Sequence, residues 1–461
     1  MFARVSRDAS FYKSVISLSG PLILQNLVNS SLVMLDNFMV SKLGEASLAG
    51  VTLANAVFFV AMLINFGIQS GSMILISQYW GKGDRASINR ILGIGFGLSG
   101  GVSLFVALSV TFFAPNIYSF TTSDPELVRI ASDYARIAAF SGFFNSLALL
   151  YISAQRSMGK SLPGMVILCS SMVTNTIMNW ILIYGNLGFP KMGVGGAALA
   201  TLLSRALELV LTAVYALRPD GFRLDFRHML HPGAVMFKDF FRYSLPVLIN
   251  ETMWSVGFSL YSVVFGHMQN AAAGIAAYTI TQTIERLLSA LYFGLGNAAS
   301  VFVGKPLGAG DYEGAHTAGV TMLFFSVMLG LFSGLLMLGL TFAFIVPVLY
   351  PMLGAADETM QAGRYMLVLS AICMPFRAFN FCTIVGVLRG GGDARAGMLL
   401  DLGSMYLFAL PLTAVTGLAL LAPFTIVYTA ISLEEVVKVF LGYWRFSQKK
   451  WLRNVTRELE A

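Results

Sequence analysis

A chain of 461 residues that is 56% hydrophobic and only 11% charged does not have the composition of a water-soluble globular protein, so the bilayer is its expected solvent. Its net charge of +7 is scattered through short loops and gathers on no basic face with interleaved aromatics, which argues against a nucleic-acid partner. Cys169, Cys373 and Cys382 all fall in apolar stretches, and an odd number there gives neither a disulfide framework nor a metal pair.

Taken in order, the chain opens with the cations Arg4, Arg7 and Lys13 ahead of an apolar stretch over 16–40. No small-residue cleavage site follows, so this segment is expected to stay as an uncleaved first helix. Further runs long enough to span, which takes about 20 helical residues, lie at 48–76, 91–113, 130–154, 163–184 and 194–216. A polar connection over 218–242 comes next. A second set falls at 243–266, 271–300, 318–348, 365–388, 397–420 and 423–446. The pattern predicts an all-α polytopic membrane protein of twelve transmembrane helices, with an N-lobe over 1–217, a cytoplasmic inter-lobe linker over 218–242 and a C-lobe over 243–461 that ends in a basic tail.

The two sets repeat each other. Pro21 opens Pro-Leu-Ile-Leu-Gln-Asn and Pro246 opens Pro-Val-Leu-Ile-Asn-Glu; Gly81-Lys82-Gly83-Asp84 is answered by Gly308-Ala309-Gly310-Asp311, and Arg156-Ser157-Met158-Gly159 by Arg389-Gly390-Gly391-Gly392. Six helices per copy make the repeats parallel, related by an axis along the membrane normal. Loops on the N-terminal side hold most of the Lys and Arg, among them Lys82, Arg85, Arg156, Lys160, Arg223 and Arg389, whereas the opposite loops hold Lys42, Arg129, Lys191 and Arg364. By the positive-inside rule both termini are cytoplasmic.

An ionisable group in the bilayer core needs a partner or a task. Asp36 lies in the first helix with no cation within one turn in sequence, which suits a proton acceptor or a ligand for a small hard cation. Asn175 and Asn179, four residues apart, share a face of the fifth helix. Their amides suit an oxygen cage or a protonated acid, and equally suit the gluing of one helix to another. Glu251, near Pro246, is the acid of the second copy, with Arg377 of the tenth helix as a candidate partner. Arg205 with Glu208, and Glu434 with Lys438, have spacings that let each pair neutralise itself. Asp401 is placed to meet the loop of Arg389 and Arg395. The four histidines make no metal pair or nucleophile–base arrangement, so no enzyme chemistry is expected.

These motifs, in order and at repeat spacing, resemble the multidrug and toxic compound extrusion (MATE) transporters over essentially the whole chain. The resemblance rests on Pro21, Asp36, Gln78 through Asp84, Gly193 through Thr201, Gly304 through Gly314 and Leu388 through Asp393. It implies a V-shaped pair of six-helix bundles and export of lipophilic, mostly cationic compounds in exchange for H+ or Na+ by alternating access. Carried over, the cation- or proton-binding residues are Asp36, Asn175 and Thr201. Asn179 stands where members with a full cation site often have Asp, which favours a proton. Glu251 matches the C-lobe acid of one branch, while the Pro375–Asn380 stretch lacks that branch's accompanying Asp. No cofactor beyond the coupling ion, a monomeric state and a plasma-membrane location are expected. A lipid-precursor flippase of the wider superfamily is the alternative, and would be expected to show two further helices and a cationic cavity.

Overall fold

The computed structural model describes residues 8–218, 221–268 and 271–458, and among them it is all helix and connection. Twelve spans follow in order: α1 Ala9–Ser41, α2 Glu45–Lys82, α3 Arg85–Ser119, α4 Pro125–Ala138 with Ser141–Ser157, α5 Leu162–Tyr184, α6 Val194–Ala216, α7 Ala234–Gly266, α8 Ala271–Gly308, α9 Tyr312–Met352, α10 Asp357–Leu388, α11 Ala394–Ala419 and α12 Phe424–Ser447. Nine are long and apolar enough by themselves to cross a membrane, and the two parts of α4, bent by 47°, make a tenth. The other two are α7, whose middle carries Asn250 and Glu251, and α12, which carries Glu434, Glu435 and Lys438. Both are long enough to span, at 33 and 24 residues. All twelve expected spans are therefore present as helices, although α7 begins at Ala234 and so takes in the last part of the polar connection.

The duplicated motifs fold the same way. At the end of α2, Gly83 takes φ 83°, and Asp84 then caps α3 by accepting from the Ser87 backbone N–H at 2.9 Å. In the second copy Gly310 takes φ 81° and Asp311 accepts from Gly314 N–H at 2.8 Å to start α9. Glycine supplies the left-handed residue that ends one helix, and aspartate satisfies the free amides that begin the next. In the polar connection, Asp225 caps the short helix Phe226–Leu230 and meets the His228 ring at 2.6 Å. That bond holds its carboxyl below the usual carboxylate range.

The chain forms two compact units. The N unit is Leu27–Leu248, and the C unit joins Met1–Asn26 to Ile249–Ala461. The divisions fall inside α1 and inside α7, a few residues after Pro21 and Pro246, rather than between helices. The N-unit core is built of small residues, among them Ala54, Ala107, Ala114, Ala131, Ala135 and Ala197, around Tyr118 and Ile183. Small side chains let helices approach where lipid offers no hydrophobic gain. At Gly196 a Cβ would lie 2.5 Å from the carbonyl oxygen of Leu182, so α6 rests directly on the backbone of α5. The C-unit core gathers Leu295, Ala298, Leu323, Phe379 and Val387 and includes Leu18 and Leu22 from the start of α1.

The segment after α12, expected as a basic tail, packs onto the C unit. Trp451 is fully buried, its indole N–H donates to Phe446 O at 3.0 Å, and Arg453 N–H donates to Gly391 O at 3.1 Å. Large apolar side chains elsewhere face outward, such as Phe105 at 72%, Leu407 at 83% and Phe440 at 71% exposure. A surface of this kind matches hydrocarbon, not water.

Candidate ion-coupling site

Three helices of the N unit bring Asp36, Asn175, Asn179 and Thr201 together. Asp36 stands near the end of α1, next to Met39 and Val40, which are buried in the N-unit core. The hydroxyl of Tyr184 donates to Met39 O at 2.9 Å and fastens this turn of α1 to α5. On α5, the four-residue spacing puts Asn175 and Asn179 on one face, and Asn179 is fully buried.

The polar groups form a chain. Asn179 Nδ2 donates to Asp36 Oδ1 at 2.5 Å and lies 3.3 Å from Asn175 Oδ1; Asn175 Nδ2 donates to Thr201 Oγ1 at 3.5 Å. Thr201 in turn donates to Ala197 O at 3.0 Å, and the Tyr134 hydroxyl of α4 bonds to Thr201. One acceptor is left over, because Asn179 Oδ1 is buried without a partner. A buried amide oxygen with nothing to accept is costly and marks a place where a donor would be welcome.

The charge balance is as informative as the distances. Arg205 of α6 is the cation whose field reaches Asp36, yet its guanidinium is held by Glu208 at 2.6 Å, and Asn145 secures the other Glu208 oxygen at 2.8 Å. Among the described residues Asp36 therefore has no ion-pair partner. One amide donor, Asn179 Nδ2, meets its carboxylate, and no cluster of three or more His, Cys, Asp or Glu side chains suited to a metal occurs among those residues.

Glu251 and Arg377 are not brought together, and here the expectation is corrected. Arg389, at the end of α10, donates to Glu251 Oε1 at 2.8 Å. Arg377, just over three turns earlier on the same helix, binds Glu285 of α8 at 2.5 Å and lies 3.7 Å from Glu435 of α12. Helix rise explains it: Arg377 lies twelve residues before Arg389, about 18 Å along the axis, out of reach of Glu251. Asp401 also has a different partner from the loop expected for it, since it binds Lys438 at 2.7 Å. Sequence reasoning missed Tyr134 and Glu435, and it saw Lys438 only as half of a local pair. The available signal for Glu435 and Lys438 was the run of three charged groups, Glu434, Glu435 and Lys438, on one apolar helix; nothing local marked Tyr134.

The MatE family model matches residues 21–181 and again 246–415, two stretches that begin at Pro21 and Pro246. A relative from Agrobacterium fabrum, called "Probable multidrug resistance protein NorM", is 26% identical over 407 residues, covering 87% of this chain and 86% of its own length. "Uncharacterized transporter YisQ" of Bacillus subtilis is 21% identical across 95% of each chain. Among solved structures, the MATE transporter VcmN of Vibrio cholerae superposes with a TM-score of 0.83 at 16% identity over 95% of this chain and 97% of its own. The eukaryotic MATE transporter AtDTX14 gives 0.80 at 20% identity, over 96% and 97%. The chain belongs to the MatE family, and it is a multi-pass membrane transporter, not an enzyme.

Proposed function

We propose that the protein is a proton-coupled antiporter that exports lipophilic, mostly cationic organic compounds across the plasma membrane. The relatives named for multidrug resistance support export of drug-like small molecules, and the lipophilic, mostly cationic character is the expectation carried from the family resemblance. The excess of Lys and Arg in loops on the N-terminal side supports cytoplasmic termini. The sequence repeats, with lobes over 1–217 and 243–461 and the 218–242 linker between them, support alternating access by two related bundles, and the protein acts as a monomer.

The observation that carries the coupling assignment is Asp36 without a cation in a chain of amides. When the carboxylate is charged, Asn179 donates to it. Once protonated, Asp36 has one O–H to place, and the unpartnered Asn179 Oδ1 becomes its acceptor after the amide turns over. The two protonation states thus favour different arrangements of α1 against α5, and the conformational cycle is a shift between those populations. A sodium ion would have to gather its oxygens from one carboxylate, Asn175, Asn179 and Thr201, and the Asn179 amide that now donates to Asp36 would have to turn over to present its oxygen.

The test is efflux of a fluorescent cationic dye from vesicles under separately imposed pH and Na+ gradients. Wild type is expected to pump with the pH gradient alone, and Asp36→Asn to lose gradient-driven efflux while still binding dye. Pumping by a sodium gradient alone would overturn the proton assignment.

A further inference from the structure

The C unit holds a second polar centre that the coupling scheme leaves unused. Lys438 of α12 lies with Nζ 2.7 Å from Asp401 Oδ1 of α11 and 2.6 Å from Glu434 Oε1, one turn earlier on α12. The other oxygen of each carboxylate is also engaged. Asn250 of α7 donates through Nδ2 to Asp401 Oδ2 at 3.0 Å, and the Tyr261 hydroxyl, also from α7, donates to Glu434 Oε2 at 3.0 Å. The side chains of Lys438, Glu434 and Asp401 are only 8%, 8% and 15% exposed, and Asn250 Oδ1 is buried with no partner. Two helices thus aim carboxylate oxygens at a site filled by an ammonium, and α7 braces both carboxylates from behind through Asn250 and Tyr261. Nearby charges are engaged elsewhere: Arg389 with Glu251, and Arg377 with Glu285 and Glu435.

An ammonium is a compact, strongly hydrated point charge, close to a potassium ion in size. Unlike a free ion, this one is carried on a side chain rooted in α12. We propose that Asp401 and Glu434, held in place by Asn250 and Tyr261 of α7, form a cage for a monovalent cation whose occupant is built in: the Lys438 ammonium stands where a free alkali cation would bind, keeps the two carboxylates together at the junction of α7, α11 and α12, and does not exchange during transport. The C unit consequently needs no dissolved ion to keep its carboxylates apart. Without the ammonium, two buried carboxylates would face each other, and the cage would draw in a cation from solution.

The experiment is thermal melting of the purified full chain in NaCl, KCl or choline chloride at one ionic strength, because screening alone moves exposed pairs. Choline is too large for the cage. Lys438→Ala is expected to melt several degrees below wild type in choline and to be restored, saturably, by NaCl or KCl. The Glu434→Gln/Lys438→Ala double variant removes one charge of each sign, and is expected to melt above the single variant in choline with no alkali response. Every comparison is made as a difference from wild type, so a sodium effect arising at Asp36 cancels and the coupling assignment is tested separately. Equal melting of Lys438→Ala in all three salts, wild-type stability of it in choline, or failure to recover it in any salt overturns the proposal.

Discussion

At the residue scale the buried charges of the C unit carry the largest individual energies. Glu251 and Arg389 share a contact in which the arginine is 4% exposed, so removing one member strands the other in a low-dielectric interior. Arg389→Gln is expected to cost about 3–5 kcal/mol of stability, and the double change Glu251→Gln/Arg389→Gln considerably less, as melting or detergent-resistance measurements would show. In the N unit the decisive residue is Asn179. Asn179→Leu removes both the donor to Asp36 and the spare acceptor, so the two protonation states of the acid lose their distinct partners. That variant is expected to keep dye binding but to lose most of the pH dependence of efflux. Asp36 and the Asn175–Asn179 spacing were legible in the sequence because an isolated acid and a four-residue repeat of amides are local signals. The Arg389 partner of Glu251 was not, because it depends on how far apart two helices place residues 138 positions apart in the chain.

At the scale of elements, backbone contact decides more than side-chain character. Gly196 lets α6 lie against Leu182 of α5, which positions Thr201, one turn and a residue later, to meet Asn175. Gly196→Val is expected to push the helices apart and break that link, lowering both stability and efflux, whereas Gly97→Ala, at a position with open space around it, is expected to leave both unchanged. The segment after α12 is a second such case. Trp451 fills a place beside Phe446 and His316, and Arg445 and Arg453 both reach Asp393. Trp451→Ala is expected to cost about 3–5 kcal/mol, measurable as a loss of melting temperature. Composition marks this stretch as a basic tail; its docking depends on the Gly391–Gly392 turn, which leaves room for the indole.

At the scale of the whole molecule, the proposed coupling through one acid carries a definite energetic consequence. One proton moving down the membrane potential supplies about 2.3 kcal/mol per 100 mV, roughly a fifty-fold gradient for a neutral compound. Exchange of one proton for one singly charged dye moves no net charge. Collapsing the potential with a potassium ionophore is therefore expected to leave pH-driven efflux of a monovalent cation unchanged and to reduce that of a neutral compound, a pair of rates that vesicle assays can compare directly.

The sequence by itself determined the solvent, the twelve spans, the duplication and the place of the isolated acid, because hydropathy, helix length and the cost of charge in hydrocarbon act locally along the chain. Only the tertiary structure decided which charges are already paired. It joined Arg377 to Glu285, Arg389 to Glu251 and Lys438 to Asp401, and gave Asp36 the Asn179 amide rather than a cation. Buried ion pairs form between whichever groups the packed helices bring within about 3 Å, and that proximity is a property of helix packing which no stretch of sequence contains.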